Sequence, residues 1–217
     1  MPDMTSAIPC GQHTLTADVH VPKSAHGVVV FVHGSGSSRL SPRNRQVAAA
    51  LNGIGLATVL FDLLTPSEGR DREMVFDVEL LAGRLVSVLR WLHDQPGVGG
   101  LPIGLFGAST GAAAALTAAA VPDAGVSAVV SRGGRPDLAP RALPHVTAPT
   151  LFIVGGDDRY VLELNEQAAS HLRCPHEVLV IPGATHLFEE PGALEAVSQA
   201  AGDWFDRHLT VAVRGPS

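Results

Sequence analysis

The segment Gly27–Val32 reads Gly-Val-Val-Val-Phe-Val, a run with no polar side. A strand with one face in water alternates apolar and polar residues, so such a run belongs in a sheet covered on both faces. Leu56–Phe61, Leu101–Phe106, Val126–Ser131, Thr150–Val154 and Glu177–Ile181 are further short, largely apolar runs. Longer segments with helical spacing separate them. Arg43–Ile54 lines up Val47, Leu51 and Ile54, and Glu73–Gln95 lines up Val75, Val78, Ala82, Leu85, Leu89 and Leu92. The second is expected to form one long amphipathic helix that ends at Pro96. Thr110–Ala120 is apolar nearly all round, as a central buried helix would be. Val161–Leu172 and a segment carrying Leu194, Val197, Ala201, Trp204 and Phe205 complete the helical set. At the start, Thr14–Val21 alternates weakly and is expected to pair with the preceding segment through a turn near Gly11. Strands alternating with helices predict a mostly parallel sheet with helices on both faces, three layers in all.

The chain has 217 residues, 46% hydrophobic and 17% charged, with a mean hydropathy of +0.22. One domain over 1–217 with a large core follows from that size. The net charge is −6 and no Lys/Arg run occurs, which argues against nucleic acid or an anionic membrane as partner. Cys10 and Cys174 are too few and too far apart for a disulfide framework. Met1–Cys10 lacks a basic stretch followed by an apolar one, and no segment reaches the roughly 18 apolar residues of a membrane span. A cytoplasmic location is the expectation.

In a doubly covered parallel sheet, the chemistry gathers at the carboxyl ends of the strands. After Leu101–Phe106 comes Gly107-Ala108-Ser109-Thr110-Gly111, a G-x-S-x-G sequence between an expected strand and an expected helix. That placement marks a nucleophile elbow, a sharp turn that holds the serine hydroxyl clear of the sheet. A serine hydroxyl is weakly nucleophilic and needs a base. His186, in the loop after the last strand, is the candidate base. An imidazole needs a carboxylate to orient it. After Thr150–Val154, Asp157 and Asp158 compete for that role; Asp158 is preferred, with Asp157 as its solvated neighbour or a helix cap. The order Ser, Asp, His is that of α/β-hydrolases.

After Gly27–Val32, the loop His33-Gly34-Ser35-Gly36-Ser37-Ser38 consists largely of small residues. The backbone N–H of Ser35, with that of Thr110, is expected to form an oxyanion hole. His33 is expected only to tie this loop by a hydrogen bond. The loop is a weak nucleotide candidate, because position 39 is Arg where G-x-G-x-x-G needs glycine and no Walker sequence occurs. No cofactor is expected. No metal is expected either, for want of H-E-x-x-H or C-x-x-C.

Taken together, HGSGSS, LFDLLTPSEGRD, GASTG, GGDDRYV and PGATHLF resemble the α/β-hydrolase superfamily, and within it the dienelactone-hydrolase-like branch, over almost the whole chain. The chain is also similar to hydrolase domains that some bacteria fuse to phosphoribosyltransferases. The resemblance implies an eight-stranded, mostly parallel sheet, whole or trimmed at its N-terminal edge. It also implies hydrolysis of an ester or lactone through an acyl-enzyme. One departure stands out: the namesake enzymes use a cysteine nucleophile, where this chain has Ser109.

Arg132–Pro149, after the strand that follows the elbow, is too short for a lid domain. An open site for a small ester or lactone is expected. Arg132 and Glu68 are candidate substrate-binding residues at its rim, with solvated loop residues as the alternative. A non-catalytic scaffold that binds a ligand or partner, and an amide or C–C bond hydrolase with the same triad, are the rival functions. Oligomeric state is open.

Overall fold

The computed structural model describes residues 4–209. The two ends of the expected 1–217 domain lie outside the described residues. The strands are β1 (Met4–Cys10), β2 (His13–His20), β3 (Gly27–Val32), β4 (Leu56–Phe61), β5 (Ile103–Ala108), β6 (Val126–Arg132), β7 (Thr150–Gly155) and β8 (His176–Ile181). The helices are α1 (Pro42–Gly53), α2 (Arg72–Phe76), α3 (Val78–His93), α4 (Thr110–Ala119), α5 (Arg159–Ala169) and α6 (Ala193–His208).

One eight-stranded sheet runs in the order β1-β2-β4-β3-β5-β6-β7-β8. β1 and β2 form an antiparallel hairpin and β2 pairs antiparallel with β4; every later pairing is parallel. The N-terminal edge is therefore complete. β3, β4, β5 and β7 are buried at every residue, in keeping with their largely apolar runs. β8 differs: it is the outer strand, and only its last residue is fully buried.

The core has two parts, one on each face. On one side Leu81, Leu85, Val88 and Leu92 of α3 and Ala114, Ala115, Ala118 and Ala119 of α4 pack on the sheet. On the other, Val47 and Leu51 of α1 and Val197, Trp204 and Phe205 of α6 do the same. Gly104 in β5 admits Phe205: a Cβ there would stand 2.6 Å from the ring.

The segment expected as one helix over Glu73–Gln95 is two. Asp77 has a non-helical backbone, and its carboxylate accepts the Leu80 N–H at 3.0 Å, starting α3 afresh. Asp71 caps α2 in the same way, from the Glu73 N–H at 2.9 Å. Short acidic side chains bond to nearby backbone and so favour caps over helix interiors. Apolar spacing alone ran across this break. Between β6 and β7 the chain makes two 3₁₀ turns, Pro136–Leu138 and Leu143–His145, with no inserted lid domain in that segment.

Candidate active site

Ser109 follows β5 and precedes the first residue of α4. Its backbone, at φ 51° and ψ −123°, is one that L-residues avoid, a conformation costing on the order of 1–3 kcal/mol. Its neighbours two places away explain how the turn closes. A Cβ at Gly107 would lie 2.5 Å from the Ala112 Cα, and one at Gly111 would lie 2.2 Å from the Val32 carbonyl oxygen. Only glycine lets strand, elbow and helix approach so closely. The Ser109 N–H donates to the Arg132 carbonyl at 3.2 Å, and the Ser109 carbonyl accepts from Arg135 at 3.1 Å. The turn is thus stitched to the end of β6. Ser109 is partly open to solvent, and the positive end of α4 lies directly behind it.

His186, in the loop after β8, has its Nδ1 2.7 Å from Asp158 Oδ2. A carboxylate can only accept, so Nδ1 carries a proton, and in the neutral imidazole Nε2 holds the free lone pair. Of the two aspartates, Asp158 holds the histidine; Asp157 is exposed, and its backbone N–H bonds Ala184 O at 3.0 Å. Gly155 brings the loops together, since a Cβ there would sit 2.2 Å from the same Ala184 oxygen. A Cβ at Gly133 would lie 3.5 Å from His186 Nδ1. Gly133 directly follows Arg132, the residue that holds the Ser109 N–H. Serine and imidazole therefore border the same turn of chain beyond β6.

The loop after β3 lies against the elbow. A Cβ at Gly34 would be 3.1 Å from the Ser109 Cβ. His33 ties the loop: Nδ1–H donates to Gly34 O at 2.9 Å, and Nε2 accepts the Leu63 N–H at 3.1 Å. Burial holds the His33 pKa below its ordinary value, against the raising effects of Gly34 and Asp62. The Ser35 N–H, expected to face a substrate oxygen, instead donates to the Thr110 Oγ1 at 2.8 Å. The Thr110 hydroxyl is a part of the site that sequence reasoning missed. Asn165 of α5 is another. It is fully buried and donates to the Gly134 carbonyl at 2.9 Å, steadying the turn beside Ser109. A lone asparagine within a helix carries no signal of this.

The two expected rim residues sit elsewhere. The Glu68 carboxylate is buried, 2.6 Å from Arg84 Nη2 and 2.8 Å from both the N–H and the hydroxyl of Thr65. Burial pushes its pKa up, but the Thr65 and Arg84 hydrogen bonds outweigh this and bring it down to about 2. A carboxylate so committed braces α3 rather than meeting substrate. Arg132 ends β6 with its side chain buried on the α1 and α6 side. There it donates to Asn44 Oδ1 at 3.3 Å and lies over the Phe188 ring, 5.7 Å from its centre. Burial, with Arg43 nearby, lowers its pKa to about 10. Expectation failed here because the last residue of a strand points to one sheet face or the other, and in β6 residue 132 has the parity of Ala128 and Val130. Arg135, the neighbouring loop cation, is bonded to Asp137 by two contacts of 2.8 Å.

Between the loop after β3 and the chain after β4 lies a cavity of about 380 Å³; Leu40, Leu63, Leu64, Pro66, Val75 and Leu81 form its apolar lining, and the rest of the lining includes Ser35, Ser37, Ser38, Arg39, Asp62 and Thr65. A groove of about 580 Å³ between β2 and the end of α3 is larger but lies at the opposite edge, where His20 pairs with Thr58 near the start of β4. Among the described residues, no three His, Cys, Asp or Glu side chains gather to hold a metal ion. No helix among them is long and apolar enough to cross a membrane.

Comparison with known proteins agrees with this architecture. A model of the dienelactone hydrolase family matches residues 16–211. The crystal structure of a dienelactone hydrolase from Anabaena variabilis superposes with a TM-score of 0.93 at 52% identity, covering 96% of this chain and 98% of that one. Est1E from Butyrivibrio proteoclasticus, at 18% identity and a TM-score of 0.80, covers 94% of this chain and 98% of its own, and shares the α/β-hydrolase fold. A Mycobacterium tuberculosis protein with the provisional name phosphoribosyl transferase is 61% identical over 189 residues. That match takes in 87% of this chain but only 43% of the relative, so the chain spans less than half the length of the relative it matches.

Proposed function

The chain belongs to the dienelactone hydrolase family, and on that premise we propose that it hydrolyses a small carboxylic ester or lactone through an acyl-enzyme on Ser109. The observation that carries this reading is the 2.7 Å bond between His186 and Asp158, made beside a serine held in a strained turn.

Ser109 Oγ attacks the acyl carbon, and its proton passes to His186 Nε2. The new imidazolium is stabilised by Asp158, to which its Nδ1–H already donates. The former carbonyl oxygen gains negative charge at the Thr110 N–H, which at the first position of α4 has no intrahelical acceptor. The Ser35 N–H is the second donor. A developing oxyanion is a stronger acceptor than the neutral Thr110 hydroxyl and draws that N–H toward itself. The bond to the alcohol oxygen breaks, and His186 returns the proton to that oxygen. Water, activated by the same imidazole, then attacks the acyl carbon and frees Ser109. Neither thiol takes the nucleophile's place: Cys10 ends β1 and Cys174 precedes β8, both buried. Two buried free thiols also fit the cytoplasmic location we infer. The transferase name belongs to a longer protein and is not carried over.

Labelling with a fluorophosphonate probe tests the proposal. The wild type labels on Ser109 and Ser109→Ala does not; label retained in that variant would end the assignment. Asp158→Asn loses about 10²–10⁴-fold in turnover, whereas Asp157→Asn stays near wild type.

A further inference from the structure

We propose that the 380 Å³ cavity beside the Ser35 loop is the acyl-group subsite, and that it takes uncharged, apolar acyl chains while the alcohol half of the substrate is left open to solvent. This rests on the hydrolase reading above and deepens it.

The order of strands assigns the two halves of the ester. Asp158 and His186 follow β7 and β8, on one side of the elbow that ends β5. The alcohol oxygen must receive its proton from His186, so the alcohol half points toward β8. The acyl half is bonded to the same carbon and points the other way, toward β3 and β4. The cavity lies there, at the carboxyl ends of those two strands, and its lining includes Gly34 and Ser35. Gly34 adjoins the Ser109 Cβ.

The wall chemistry names the acyl class. In its apolar lining Leu63 and Leu81 are buried and Leu64 and Val75 half-buried. One arginine, Arg39, reaches the wall, and its charge is already taken: its side chain lies 3.5 Å from both Asp18 and Asp62 carboxylates, and its N–H bonds Asp62 at 2.8 Å. Asp62 itself lines the cavity. An acyl chain bearing a carboxylate would meet a carboxylate without a free cation. On the β8 side, Leu187 is 40% and Tyr160 64% exposed, so these two side chains, near His186 and Asp158 in sequence, stand open to solvent. A volume near the lower end of ligand pockets suits chains of short to medium length.

The test measures kcat/KM for p-nitrophenyl acetate, butyrate and hexanoate, for the p-nitrophenyl monoester of succinate, and for butyrate esters of different alcohols. Each methylene buried by the wild type is worth about fourfold, so butyrate exceeds acetate about fifteenfold. Butyrate also exceeds the succinate ester, and alcohol size has little effect. Val75→Trp drives the butyrate-to-acetate ratio toward one, and Val75→Ala moves the preference toward hexanoate. The second variant keeps the test decisive if the tryptophan variant fails to fold. Unchanged ratios in folded variants, a preference for the succinate ester, or selectivity that follows the alcohol would overturn the subsite. Activity surviving Ser109→Ala would instead overturn the nucleophile, with the acyl preference judged separately by the same ratios.

Discussion

At the scale of single residues, the contact that separates this site from its expected form is the 2.8 Å bond from the Ser35 N–H to the Thr110 hydroxyl. It joins residues 75 apart in sequence and holds the loop after β3 against the elbow. A hydroxyl at position 110 sets where the Ser35 N–H waits before substrate arrives. Ser35 is exposed, so water can replace the lost acceptor at small cost in stability. Thr110→Val keeps the shape and removes the acceptor. Loss of a whole oxyanion donor costs about 10²–10³ in turnover, so a misplaced one is expected to cost about tenfold in kcat with little change in KM. Thr110→Ser restores the rate. Equal kcat for the valine and wild-type enzymes, measured on one ester, would mean that the loop holds its place without the hydroxyl. Ser109, Asp158 and His186 were picked out from three strand ends, and the fold bonds His186 to Asp158 across the turn of chain that also holds the Ser109 N–H. Two adjacent aspartates compete in the sequence; in the folded chain Ala184 approaches Gly155, His186 bonds Asp158, and Asp157 is left exposed.

At the scale of elements, strands were legible and helix breaks were not. A hexapeptide with no charged and at most one polar side chain has few fates, and β3, β4, β5 and β7 fall where such runs occur. The α2–α3 break is local chemistry at Asp77, invisible to a search for periodic leucines. Asp77→Ala removes the cap of a helix whose inner face packs on the sheet. It is expected to lower stability by about 1 kcal/mol, with Asp77→Asn close to wild type. Urea unfolding of both variants checks this; equal losses would point to the negative charge near the helix start rather than the side-chain acceptor.

At the scale of the whole molecule, the buried Glu68–Arg84 pair ties the segment after β4 to α3, beneath the loop that walls the proposed acyl cavity. Glu68 titrates at about 2 in the fold, against 4.5 as its ordinary value. The unfolded chain therefore binds a proton first as pH falls. The stability from this pair is complete above 4.5 and is lost progressively as pH drops toward about 2. Glu68→Gln is expected to remove about 3–5 kcal/mol near neutral pH by leaving Arg84 buried without its partner. It also flattens the acid limb of the stability profile. Denaturant midpoints from pH 7 to pH 3 read both effects, and a glutamine variant that keeps the wild-type acid limb would place the linkage on another carboxylate.

By itself the sequence determined the alternation of elements, the layered parallel sheet and the three loops that carry serine, carboxylate and imidazole. Each of those follows from local steric and solvation rules that a short window of residues obeys. Only the tertiary structure decided where Glu68 and Arg132 point, which hydroxyl holds the Ser35 N–H, and that a cavity opens between the loops after β3 and β4. Those outcomes depend on which distant segments meet across the sheet, and a strand end can turn its side chain to either face until the layers have packed.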